Sequence, residues 1–221
     1  GSLRKFLGNV QPSSLKEEKR LQYKEVQVPE VCRRAKEAGC CAIMVTGEGS
    51  GFFSTVESVT MAVPDGDGEA SLSAKGRLED FRAVLEDAAI CKYGYDLKFQ
   101  MNMLSYNGVV LSGRLMDIEL MHYLINPEKS HKLDILSKTY LGVTLDEQTG
   151  GQEQQKELSL FDQVEDEAEQ NHALQVCATL QLGIKVWEDM DGRELCRLYE
   201  TMEEPLLRVL SKMELEGVKV D

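Results

Sequence analysis

The sequence predicts an α/β domain: a mixed five-stranded sheet flanked by helices, followed by a C-terminal helix of a different kind. Three observations carry this. Residues Cys40 to Thr46 form an unbroken apolar run, the pattern of a central strand covered on both faces. Val56 to Val63 and Glu69 to Leu72 read as strands joined by Pro64-Asp-Gly-Asp-Gly68, a hairpin turn. From Arg77 onward, amphipathic helices and short strands alternate, which requires a sheet with helices packed on it.

In chain order, residues 3–22 are charged and irregular and read as an entry segment, with Gly1-Ser2 set aside as a tag remnant. Tyr23 to Val28 alternates like a short strand. Pro29 opens a helix to Ala38, with Glu30 near its positive end, and Gly39 stops it. Arg77 to Ala88 is amphipathic, with Leu78, Phe81, Val84 and Leu85 on one face. Ala89 to Tyr93 is the fourth strand. Asp96 is expected to cap a helix through Tyr106, and Val109 to Leu115 to form the fifth strand. Asp117 caps the next helix, and a further one is expected over 131–140. Residues 142–159 read as a long exposed loop, and Phe161 to Trp187 as a long helix. Three divisions follow: 1–22 as entry segment, 23–188 as the main domain and 189–221 as the start of a second module.

Composition excludes several classes. No run of 18 apolar residues occurs, so no membrane-spanning helix is expected, and without a secretory segment the default setting is cytoplasmic. The net charge of −13 argues against strong autonomous DNA binding, because neutralising phosphates supplies much of that affinity, and leaves room for a local basic patch or a basic partner domain. Any binding to DNA should be weak and salt-sensitive. The six cysteines lack zinc-knuckle spacing and read as free thiols. Gly47-Glu-Gly-Ser-Gly51 lacks the GK[ST] ending of a phosphate loop. His122, His131 and His172 are too scattered for a metal triad, and Trp187 lies on an apolar helix face as a core residue.

Two stretches carry a family resemblance. In Lys92 to Asn126, the residues Lys92, Gly94, Leu97, Lys98, Gly108, Leu111, Gly113, Asp117, Leu120, Tyr123 and Asn126 fall in register without a gap along the pattern K-x-G-x-N-x-K-Y-D, then Y/N-G-I-x-L-x-G, then D-x-x-L-x-x-Y-x-L-N. Met202-Glu-Glu-Pro-Leu-Leu-Arg-Val-Leu-Ser-Lys-Met-Glu-Leu-Glu-Gly-Val-Lys-Val-Asp221 follows E-x-P-L-x-x-V-L-x-x-M-E-x-x-G-V-x-V-D. The first resembles the 3′–5′ exonuclease domain of bacterial family A DNA polymerases. The second resembles the helix that opens their polymerase module. The resemblance covers about residues 23–221 and implies a ribonuclease-H-like (DnaQ-like) fold in a fragment that ends as the polymerase begins.

The resemblance also implies a two-metal site, in which cations about 3.5–4 Å apart clamp the attacking water and the leaving oxygen. Such cations need several anionic oxygens. Active members supply an Asp-x-Glu on the first strand, an Asp on the central helix and the Asp of a Tyr-x-x-x-Asp on the long helix. Carried over residue by residue, the first Asp falls on Thr46 and the Glu on Glu48. Counting back from the next strand instead puts the pair near Met44 and Thr46. The second Asp is Gln100. The third, four residues before the matching Thr179-Leu-Gln-Leu182, is Gln175, and the water-holding Tyr is Asn171. Asp96, or the acids at 162, 165–167 and 169, could substitute, but read better as helix-terminus residues.

The implied function is a silent exonuclease-like domain, without catalytic, cofactor-binding or metal residues, that supports DNA synthesis in replication and repair. Mg²⁺ belongs to the polymerase module of the parent chain. The implied partners are that module and, through it, a DNA primer-template, with the chain monomeric and away from membranes. The alternative is a weak proofreading exonuclease built on Glu48 and substitute ligands. An unrelated acidic binding module would require both motifs to match by accident. A dead site should lose carboxylate repulsion and let the residues at 46, 100 and 175 hydrogen-bond to one another.

Overall fold

A computed structural model describes residues 19–49, 51–145 and 160–217, with the backbone alone over 160–170. The elements are β1 (Tyr23–Glu25), α1 (Val28–Ala38), β2 (Cys40–Glu48), β3 (Thr55–Pro64), β4 (Ser71–Gly76), α2 (Leu78–Leu85), β5 (Cys91–Gly94) and α3 (Leu97–Tyr106). They continue with β6 (Leu115–Asp117), α4 (Ile118–Ile125), α5 (Leu133–Leu136), α6 (Leu160–Gly192), α7 (Cys196–Leu198) and α8 (Glu204–Gly217). The strands form one mixed sheet in the order β1-β4-β3-β2-β5-β6. β2, β3 and β4 are antiparallel neighbours, while β5 and β6 add in parallel on the other side of β2.

The sheet has six strands rather than the expected five. The additional strand is β1, which pairs in parallel with β4 from Tyr23↔Ser71 to Glu25↔Ser73. Its alternation is visible in the sequence, but its partner lies far along the chain. The strand expected over Val109 to Leu115 is displaced to Leu115–Asp117. Val109 and Leu111 do point inward and Val110 outward, so the alternation is real. Gly113, however, turns the chain at φ +86 and passes so close to Ile90 that a Cβ would lie 2.1 Å from its carbonyl oxygen. Only the three residues beyond the turn reach the ladder of β5. The helix expected over 131–140 is a single turn, α5, followed by a π-turn at Ser137–Leu141. Of the expected loop at 142–159, residues 146–159 lie outside the described residues, and Val143 and Leu145 are buried.

β2 is covered on both faces, as its unbroken apolar run requires. Ile43 and Val45 join a core with α1, α2 and α3, including Val31, Phe81, Leu97 and Leu104. Ala42 and Met44 face the opposite core, with Tyr93, Leu174, Cys177 and Leu180. Each fully buried Val, Leu, Ile or Phe contributes about 1.5–3 kcal/mol, so these two layers hold the sheet in place. α6 packs so closely on β5 that a Cβ at Gly183 would lie 2.3 Å from the Tyr93 ring. Lys92 is fully buried, and its ammonium donates to Asp87 O at 2.7 Å and to Ser112 O. This motif lysine therefore fastens the turn before β6 to the end of α2, and burial lowers its pKa.

All six cysteines are free; Cys41 and Cys177 are buried and the other four partly so. Burial pushes the Cys91 and Cys177 thiols up to about 12, so they are poor nucleophiles. Among the described residues no helix is long and apolar enough to cross a membrane.

Candidate functional site

The predicted site positions sit on β2, α3 and α6, and their side chains are engaged in separate contacts. Gln100, on α3, is 7% exposed. Its Oε1 accepts from the Val45 N–H of β2 at 3.1 Å, and its Nε2 donates to Tyr95 O at 2.7 Å. The backbone partners fix which end of the amide is which, since one can only donate and the other only accept. A carboxylate here could keep the first bond and not the second.

Thr46 is half-buried on β2, with its hydroxyl 2.7 Å from that of Ser58. The ladder slips between Thr46 and Gly47, and Glu48 is exposed beyond the slip at the end of the strand. Gln175 donates to Asn171 Oδ1 at 3.0 Å, one turn back on α6. The structure therefore brings Gln100 against β2 beside Thr46, and Gln175 against Asn171. The hydrogen bonds expected between positions 46, 100 and 175 are not formed: each side chain satisfies itself on a nearer partner. The Thr179-Leu-Gln-Leu182 run is a packing element, all four residues being buried, and Gln181 donates to Ser71 Oγ at 2.8 Å, docking α6 on β4.

Two hard cations do not fit this set. Thr46, Gln100 and Gln175 offer neutral oxygens, and that of Gln100 is committed to a backbone N–H. Among the described residues no three of His, Cys, Asp and Glu are grouped to hold a metal ion. Asp96 lines a pocket of about 220 Å³ with Lys98, Asp117, Glu119 and Glu203, a lining that includes none of Thr46, Gln100 and Gln175. The acids at 162, 165–167 and 169 lie on the first turns of α6, with side chains outside the described residues.

The expected cap at Asp96 is replaced by another. Asp96 stands at the N-cap of α3 in a left-handed conformation, φ 45 and ψ 53, and its side chain makes no capping bond. The free Leu97 N–H is taken by Asp117 Oδ2 at 2.9 Å, while Asp117 Oδ1 accepts from Leu120 N at 3.2 Å. One carboxylate thus caps α3 and α4 together. It is 3% exposed, and burial raises its pKa to about 6 although both N–H donors favour the charged form. Its own backbone N–H donates to the Tyr199 hydroxyl at 2.9 Å, and that hydroxyl donates in turn to Leu115 O. No sequence signal marks this second role of Asp117. Its spacing to Leu120 is that of an ordinary cap, and Leu97 is 20 residues away.

The histidines also differ from expectation. His122 and His131 meet, Nδ1 to Nδ1, at 2.6 Å, sharing one proton, while His172 stays apart on α6. Burial, and then His131, lowers the His122 pKa. Trp187 packs edge-on to Tyr199, with Arg114 over its ring at 5.1 Å, as a core-facing residue.

A family model described as 3′–5′ exonuclease, of the DNA polymerase A type, matches residues 30–168. DNA polymerase I of Mycobacterium tuberculosis H37Rv is 33% identical over 173 residues, 75% of this chain and 19% of the relative. DNA polymerase I of Synechocystis is 30% identical over 141 residues, 62% of this chain and 14% of the relative. The chain therefore spans less than a fifth of these relatives' length. Among solved structures, the POL domain of Pol1 from M. smegmatis, in complex with DNA primer-template and dNTP, superposes with TM-score 0.66 at 20% identity, covering 87% of this chain and 32% of that one. NrnC of Brucella melitensis, with bound Mg²⁺, gives 0.63 at 15% over 89% and 94%. RNase D of Escherichia coli gives 0.59 at 14% over 88% and 51%. At these identities the superpositions establish the ribonuclease-H-like fold. The matched family residues span most of the sheet and its helices, and so the chain belongs to the 3′–5′ exonuclease domain family of DNA polymerase I.

Proposed function

We propose that this chain is a catalytically silent exonuclease-like domain of a DNA polymerase I, retained as structural support for DNA-directed synthesis in replication and repair. The observation that carries this is Gln100. At the position where the family places a metal-binding Asp, its amide is clamped between Val45 N–H and Tyr95 O. With Thr46 and Gln175 also neutral, Glu48 is the single carboxylate at the carried-over positions, and it stands exposed at the end of β2. One carboxylate cannot hold two Mg²⁺ ions against their hydration.

The supporting role rests on the last helix. Met202, Leu206, Val209, Leu210 and Met213 leave an apolar row exposed along the end of the chain, the face a following polymerase module would cover. α8 is tied to the domain by Lys98 and Asn102, which both donate to Glu214, at 2.6 and 2.8 Å, and by Ser211, which bonds Asn102. The reading places the chain in the cytoplasm, monomeric, meeting a primer-template through that module. The module would use Mg²⁺ of its own, and this domain would hold none.

The test is a time course on 3′-labelled single-stranded DNA with Mg²⁺ or Mn²⁺. No loss of 3′ nucleotides is expected. Metal-dependent degradation abolished by Glu48→Ala would overturn the reading and support a weak proofreading exonuclease.

A further inference from the structure

A pocket of about 250 Å³ lies between α4, α5 and the far end of α6. Lys129, Arg193, His122, Asn126, Ser130, Thr139 and Tyr140 supply its polar lining, which contains no carboxylate. That is unusual on a chain with 38 acidic and 25 basic residues. The acid that reaches this wall, Asp189, is occupied on both oxygens: Tyr140 donates to Oδ2 at 2.7 Å and Arg193 Nε to Oδ1 at 2.9 Å. Arg193 spends only its Nε–H there. Among the described residues its two Nη groups and the Lys129 ammonium make no hydrogen bond or ion pair.

We propose that this pocket binds a phosphate group, carried by a nucleotide or by a DNA backbone. A guanidinium fork and an ammonium, with hydroxyl and amide donors between them, match the tetrahedral oxygens of phosphate better than a planar or neutral ligand. The volume is below the roughly 300 Å³ at which sites for drug-sized ligands begin, so the site suits the phosphate and leaves the base unread. It is also separate from the degenerate centre. Arg193 follows Gln175 by 18 residues, most of them on α6, which at about 1.5 Å per residue places it roughly 27 Å further along. The site therefore survives the loss of catalysis.

The experiment is an amide-resolved NMR titration with sodium phosphate, against sodium chloride at matched ionic strength. Saturable shifts are expected at Asn126, Ser130, Thr139 and Arg193. The double substitution Lys129→Ala, Arg193→Ala should weaken binding at least tenfold. Because that change releases Asp189, Lys129→Glu serves as the second variant; it removes no contact within the fold and should weaken binding severalfold. Deoxyadenosine monophosphate and a short thymidine oligonucleotide, titrated in parallel, distinguish the sources. Tighter binding of the first assigns a free nucleotide, tighter binding of the second a DNA backbone, and equal binding keeps the shared phosphate chemistry. Shifts that match those in chloride, or that persist unchanged in Lys129→Glu, overturn the proposal.

Discussion

Replacing Gln100 by Glu exchanges its amide nitrogen for an oxygen where α3 meets β2. Oε1 can still accept from Val45 N–H at 3.1 Å, but the second oxygen now faces Tyr95 O across the 2.7 Å that the amide donor spanned. When ionised, the side chain loses one hydrogen bond, sets an anion against a carbonyl oxygen and is desolvated at a position only 7% exposed. Losing the bond while leaving a buried acceptor unsatisfied costs about 1–3 kcal/mol, and an unpaired buried charge adds to this. A deficit of roughly 2–4 kcal/mol is expected at pH 7.5. When protonated, the carboxyl can donate to Tyr95 O and most of the deficit disappears. The folded-state pKa of the new Glu is therefore raised above the unfolded value of about 4.3. Its stability contribution is full below that value and is lost as pH rises through the folded pKa. The assay is urea unfolding of both proteins at pH 4.5 and 7.5, compared pairwise so that the rest of the chain's titration cancels. Equal deficits at the two pH values would refute the argument, since the cost would then be steric. No deficit at pH 7.5 would show that the bond to Tyr95 O carries nothing.

Three further outcomes follow from the same contacts. Asp117, raised to about 6 by burial, should titrate near that pH in a side-chain carboxyl NMR experiment; its contribution is full below about 4 and lost as pH rises through 6, and a midpoint near 4 would contradict the double-cap environment. Tyr199→Phe removes the hydroxyl between Asp117 N–H and Leu115 O and should cost about 1–3 kcal/mol in denaturant unfolding, with a loss below about 0.5 showing that the link is dispensable. Millimolar Mn²⁺ should leave the melting temperature unchanged, because a ligand that binds the folded state raises it by mass action and the neutral residues at 46, 100 and 175 offer no such site; a clear rise means that a metal site persists.

What depends on local pattern is legible in the letters alone. The unbroken run at Cys40 to Thr46 has the pattern of a strand buried on two faces, and Gly39, with φ 71, ends the helix before it as its position requires. The neutral letters at Thr46, Gln100 and Gln175 are equally legible, and the resemblance alone implies that they stand at metal positions. How those residues are used depends on contacts between distant segments. The partner of Gln100 on β2 is 55 residues away, and Asp117 reaches Leu97 across 20 residues and Tyr199 across 82. Asp96 has the position of a cap for α3 because caps are local; Asp117 displaces it because the β5–β6 ladder sets Gly94 beside Asp117. His122 and His131 meet because the chain folds back after α4, and β1, whose alternation is local, finds its place in the sheet because β4 leaves an open edge for it. In each case the deciding contact joins segments that periodicity and propensity treat separately, since those signals extend over one element and hydrogen-bond partners across a sheet or between helices do not.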